Sequence, residues 1–182
     1  LAESRAFLIL LLAAGVAGCS DDAEPVVDPG AGGSGPGFGT EADIATANAL
    51  YEEVQQADFA ANWDLMPGTT NPIESMAPHT NWAAIYVNDV AAADVTSFAA
   101  DSIIVKVNLE DDQQMAESYT MMKRIEGFDA DIQDWFFAKT DAQGTLLTNG
   151  NGVALAGAVG KGGTMGCVPC HSQEDDFVIQ ND

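Results

Sequence analysis

The sequence predicts a mainly β domain of the α+β class: an antiparallel β-sheet preceded by one amphipathic helix and followed by a short segment built around a Cys-x-x-Cys-His motif. Three observations predict it. Apolar residues recur at helical spacing over residues 40–63, four later segments alternate with period two, and a glycine-rich stretch after them runs into Cys167-Val168-Pro169-Cys170-His171.

The helix has a marked start and stop. Thr40 and Asp43 form a capping-box pattern, Ile44, Ala47, Leu50, Tyr51, Val54 and Ala61 share a stripe, and Pro67-Gly68 ends the run. A loop rich in Pro, Thr and Asn is expected over 67–81. Strands are expected over 82–88 (WAAIYVN), 102–109 (SIIVKVNL), 119–125 (YTMMKRI) and 134–139 (DWFFAK). In the second, Ile103, Val105, Val107 and Leu109 share one face, and Ile104, Lys106 and Asn108 the other. Gly127 marks a turn, 141–144 another, and the acidic run Glu110-Asp111-Asp112 a solvated third.

Hydrophobic residues make up 47% of the 182 and charged residues 19%, which excludes a disordered chain. With 28 acidic and 6 basic residues the net charge is −22. Nucleic acid is thereby excluded as a partner, since neutralising phosphates requires clustered Lys and Arg. Residues 7–14 (FLILLLAA) follow Arg5 and precede Val16-Ala17-Gly18-Cys19, a pattern resembling the bacterial lipobox. The expected organisation is a lipoprotein signal peptide over 1–18, lipidation at Cys19, a flexible Gly/Pro/Asp-rich tether over 19–39 and one domain over 40–182. The leader is the one long apolar run, so the membrane is expected to be met by a lipid anchor alone, at the periplasmic face of a bacterial membrane or at the cell surface.

Two thiols three positions apart can each add to one vinyl group of a haem, and the adjacent imidazole then reaches the iron from one side. Cys167, Cys170 and His171 are therefore expected to hold one covalent haem c, with His171 as the iron ligand. A thioredoxin-like pair would need a βαβ setting, and a zinc site further Cys or His donors where only His79 remains. Export agrees with haem, because c-type haem is attached outside the cytoplasm.

From about Pro78 to Asp182 the chain resembles the cytochrome P-460 family, which includes cytochrome c′-beta. The matching pieces are Ile85-Tyr86-Val87-Asn88, Ile103-Ile104-Val105-Lys106, Met121-Met122-Lys123, Gly127-Phe128-Asp129, Asp134-Trp135-Phe136, residues 141–144, and Gly166 to His171 with Asp176-Phe177-Val178 after it. The resemblance implies an antiparallel β fold, one covalent haem, His171 as proximal ligand and an open sixth position. It also places Lys106 where hydroxylamine-oxidising members carry a lysine bonded to the haem edge. Nitric-oxide-binding members lack that link. The chain departs from the oxidising pattern at Ala83, where an arginine is expected, and at Val107, where a glutamate is expected.

Several residues carry two readings. Lys106 is either a haem-facing amine, cross-linked or not, or an edge lysine whose stem snorkels over the sheet. His79 reads as a solvated loop histidine rather than a distal ligand or proton shuttle. Met121 and Met122 alternate on a strand, so only one can face the haem, and an axial Met would close the sixth position. Trp135, Phe136 and Phe137 read as core. The functions expected are hydroxylamine oxidation, with electrons passed to an acceptor cytochrome, or nitric oxide binding; the alternative is a six-coordinate electron-transfer cytochrome. A homodimer is compatible with the sequence.

Overall fold

The computed structural model describes residues 37–179, within one compact unit, Gly35–Asp182. The expected signal peptide, Cys19 and the tether as far as residue 36 lie outside the described residues. Packing begins at Phe38, which bridges to Gly157 and lies against the core.

Helix α1 (Glu41–Gln56) starts at the expected capping box: the Asp43 N–H donates to Thr40 Oγ1 at 3.2 Å and the Thr40 N–H to Asp43 Oδ2 at 3.0 Å. It stops seven residues short of the expected end. Asp58 adopts the left-handed region (φ 47°), which a short polar side chain tolerates, and the next turn, α2 (Phe59–Asn62), is set off from α1. Ala61 therefore leaves the stripe and is exposed, while Ala47, Leu50 and Val54 stay buried.

The four expected strands all form, as β3 (Trp82–Val87), β4 (Ile103–Leu109), β5 (Ala116–Arg124) and β6 (Trp135–Asp141). Three two-residue strands join them: β1 (Asp64–Leu65), β2 (Ile73–Glu74) and β7 (Ala156–Gly157). The sheet runs β1-β3-β4-β5-β6-β7, every pair antiparallel, with β2 also on β3. β2 arises inside the segment expected as loop. A short helix, α3 (Asp89–Ala93), follows β3, capped by Asn88 Oδ1, which accepts from the Ala91 and Ile103 N–H groups at 3.0 Å each. The chain closes on α4 (Cys167–His171).

Strand alternation divides the interior in two. Ile103, Val105, Val107, Leu109, Met121, Phe136 and Ala138 bury against Ala47, Leu50 and Val54 of α1. The opposite face carries Ile85, Val87, Ile104, Met122, Trp135 and Phe137, covered by Val159, Val168, Phe177 and Val178 from the C-terminal segment. Full burial of a large apolar side chain contributes about 1.5–3 kcal/mol, so each face has its own reason to stay covered. Among the described residues no helix is long and apolar enough to cross a membrane.

Candidate functional site

The C-terminal segment reaches the sheet through tight backbone approaches that exclude side chains. Gly166, immediately before α4, has φ 127°, and a Cβ there would lie 2.8 Å from both the Val159 carbonyl oxygen and Gly160 Cα. The Val168 N–H donates to the Val159 carbonyl at 3.0 Å, and Val168 itself is buried. Cys167 packs against the cavity-side core while Cys170 is exposed, and the two thiols are not joined. Burial pushes the Cys167 thiol up to about 12, the reverse of what a redox-active pair needs. Among the described residues no group of three His, Cys, Asp or Glu side chains could hold a metal ion, so a zinc site has no donor set there.

His171 is fixed from two directions. Its ring stands edge-on to Phe137, centroids 5.3 Å apart, and its Nδ1 lies 2.8 Å from the Phe177 carbonyl oxygen. A carbonyl only accepts, so Nδ1 carries a proton, which makes Nε2 the nitrogen that the neutral ring would offer to an iron. The Phe177 carbonyl is held in turn by Asp176, whose carboxylate accepts from the Phe98 N–H at 2.8 Å and pairs with Arg124 at 3.2 Å. Arg124 also donates to the Phe98 carbonyl, and the Trp135 indole donates to the Asp176 carbonyl at 2.8 Å.

Beside His171 lies a cavity of about 450 Å³ including its open mouth. Met66, Ile85, Ile104, Met122, Val178 and Ile179 make it largely apolar; Lys106, Thr120, His79 and His171 are its polar members. Most of that space is the open mouth: the part a water-sized molecule can occupy is about 40 Å³, well below the roughly 300–1,000 Å³ typical of cofactor sites. Lys106 is half-buried on β4, paired in register with Ile85 on β3 and Thr120 on β5. It stands on an interior strand, so the edge-lysine reading is overturned. Met122 lines the cavity, whereas Met121 is fully buried on the α1 face. Trp135 and Phe137 face the cavity-side core and Phe136 the other.

His79 is a second correction. It is no solvated loop residue: its Nδ1 lies 3.2 Å from Asn108 Oδ1, and burial, with Lys106, Lys139 and His171 nearby, lowers its pKa from 6.5 to about 4. Asn108 is fully buried and donates to Ser118 Oγ and Thr120 Oγ1 at 3.1 Å each. Lys139 Nζ donates to the Pro78 carbonyl at 3.2 Å, tying the His79 loop to β6. His79 was marked by neither periodicity nor motif, and Asn108 only by its strand parity with Lys106. The departures from the family pattern fall on different faces: Val107 buries on the α1 face, away from Lys106, while Ala83 is the register partner of Asn108.

These donors suit a covalent haem: two unjoined thiols on α4, an imidazole held through Nδ1, apolar walls, and one lysine, Lys106, at the cavity. Comparison with protein families, curated proteins and solved structures finds no match, so the family resemblance rests on the residues quoted for it.

Proposed function

We propose that this chain is an exported c-type mono-haem protein whose cavity binds or transforms a small nitrogen species, hydroxylamine or nitric oxide. One observation carries the reading: the Cys-x-x-Cys-His helix delivers an imidazole, held through Nδ1 by a backbone carbonyl, to a largely apolar cavity that also contains Lys106. Cys167 and Cys170 would hold the haem by thioether bonds, His171 would bind its iron, and Cys19 would carry the lipid anchor at the periplasmic face or cell surface. When bound, haem supplies a redox-active iron with a position for a small ligand. The protein's part is to fix His171 through Phe137 and Phe177, to exclude water with its apolar walls, and to present Lys106 and His79 to whatever enters. Electrons from an oxidised substrate would pass to an acceptor cytochrome.

The competing reading is a six-coordinate electron carrier, which the presence of Met66, His79 and Met122 in the same cavity favours. One preparation tests both. Protein matured in a host that attaches c-type haem should keep its peroxidase stain after boiling in SDS, and Cys167→Ala with Cys170→Ala should abolish it. Haem extractable by acidified solvent from a stable holoprotein would refute the assignment, and a low-spin ferric spectrum would transfer the protein to the carrier class. Peptide mass spectrometry of the same material locates the haem links. A second link on the Lys106 peptide establishes the cross-linked, hydroxylamine-oxidising type; haem on the Cys167 to Cys170 peptide alone excludes it.

A further inference from the structure

Asn108 is a polar side chain at zero exposure in the middle of a sheet, where an unpaired amide would cost about 1–3 kcal/mol. Both its N–H groups are used, toward Ser118 Oγ and Thr120 Oγ1, so its oxygen is the atom left to face His79. An amide oxygen only accepts; His79 Nδ1 must be the donor, and the lone pair resides on Nε2. Four residues from three places in the chain thus set one tautomer of one imidazole: His79 from the loop before β3, Asn108 from β4, and Ser118 and Thr120 from β5. Lys139, held against the Pro78 carbonyl, braces the same loop. Burial and two neighbouring lysines keep the ring neutral, so it accepts rather than donates. The line of polar groups lies on the sheet face that also bears Lys106 and Lys139, and it ends at the cavity that His79 lines together with His171 and Lys106.

We propose that His79 is the distal polar residue of this cavity, its Nε2 accepting a hydrogen bond from an N–H or O–H of the small ligand bound there. This rests on the haem reading above. It adds a basis for discrimination: a ligand with a donor hydrogen, such as hydroxylamine, gains a bond that nitric oxide, which has none, does not.

The test uses holoprotein, with hydroxylamine titrated optically into the ferric form and nitric oxide into the ferrous form. His79→Leu should weaken hydroxylamine binding about 3- to 10-fold, the value of one net hydrogen bond, and leave nitric oxide within about twofold. His79→Gln, which keeps an acceptor oxygen, should recover part of the loss. Ring ¹⁵N spectra of His79 in the diamagnetic ferrous carbon monoxide form should show Nδ1 protonated and Nε2 bare, and Asn108→Leu should mix the tautomers. Three results would overturn the proposal: unchanged hydroxylamine affinity in His79→Leu, a protonated Nε2 in the wild type, or a low-spin ferric spectrum that turns high-spin in His79→Leu. Boiling-resistant haem stain in every variant separates this test from the haem reading, since its absence defeats that reading and its presence with unchanged affinities defeats only the role of His79.

Discussion

Asp176 is the residue whose removal should tell most about how the cavity is held. Its carboxylate accepts from the Phe98 N–H at 2.8 Å and pairs with Arg124 at 3.2 Å, with 13% and 24% of the two side chains exposed. Its backbone is left-handed, φ 53°, as is that of Phe177, φ 60°. Asp176→Ala loses a charge-assisted hydrogen bond of roughly 1.5–3 kcal/mol, a half-buried ion pair of about 1 kcal/mol, and about 1 kcal/mol of left-handed tolerance, for a total of about 4 kcal/mol. Asp176→Asn keeps an acceptor for the Phe98 N–H and tolerates the left-handed backbone, so it loses chiefly the charge, about 1–2 kcal/mol. At about 3 °C per kcal/mol for a chain of this length, the melting temperature should fall by about 12 °C for Ala and about 4 °C for Asn. Thermal unfolding of the holoprotein followed by circular dichroism measures both. A fall below about 2 °C for Ala, or equal falls for the two variants, would refute the view that this carboxylate clamps the segment carrying the His171 acceptor.

Two further predictions follow from the same geometry. Gly166→Ala should lower the ratio of covalent haem to protein sharply, because its Cβ would meet the Val159 carbonyl and Gly160 at 2.8 Å just before Cys167; Gly150→Ala, with open space around its Cβ, should leave the ratio unchanged. His79 is neutral in the folded chain down to a pKa of about 4 against 6.5 unfolded, so its contribution is present above pH 6.5 and lost as the pH falls to about 4. That loss is about 3 kcal/mol, read from urea unfolding at stepped pH, and a wild-type profile parallel to that of His79→Leu would refute it.

The strands were legible because a half-buried sheet writes its geometry into alternate residues. Ile103, Val105, Val107 and Leu109 lie on the α1 face as their spacing requires, and Ile104, Lys106 and Asn108 on the other. The capping box at Thr40 was equally local, since both partners lie within one turn. What escaped was either too short to have a period or set by distant contacts. β1, β2 and β7 are two residues each. The break at Asp58 depends on one residue entering the left-handed region, which the apolar stripe running through it to Ala61 did not reveal.

The cavity shows the same division between local and distant information. Cys167, Cys170 and His171 announce themselves because their chemistry requires adjacency in sequence, and Lys106 because it interrupts a run of apolar alternation. His79 has no such mark: its burial depends on Asn108, 29 residues away, and its tautomer on Ser118 and Thr120, further still. Yet Asn108 shares its strand parity with Lys106, and that parity contains the clue. α1 has one apolar stripe and must cover the face bearing Ile103, Val105, Val107 and Leu109, because only that face is apolar throughout. The other face therefore carries both a lysine and an asparagine toward the interior, and buried polar groups require partners or a cavity. In this fold Asn108 has the partners and Lys106 lines the cavity, so their shared parity marks the face of the strand that bears the site, while the interior position of the strand and the histidine beside it come only from the fold.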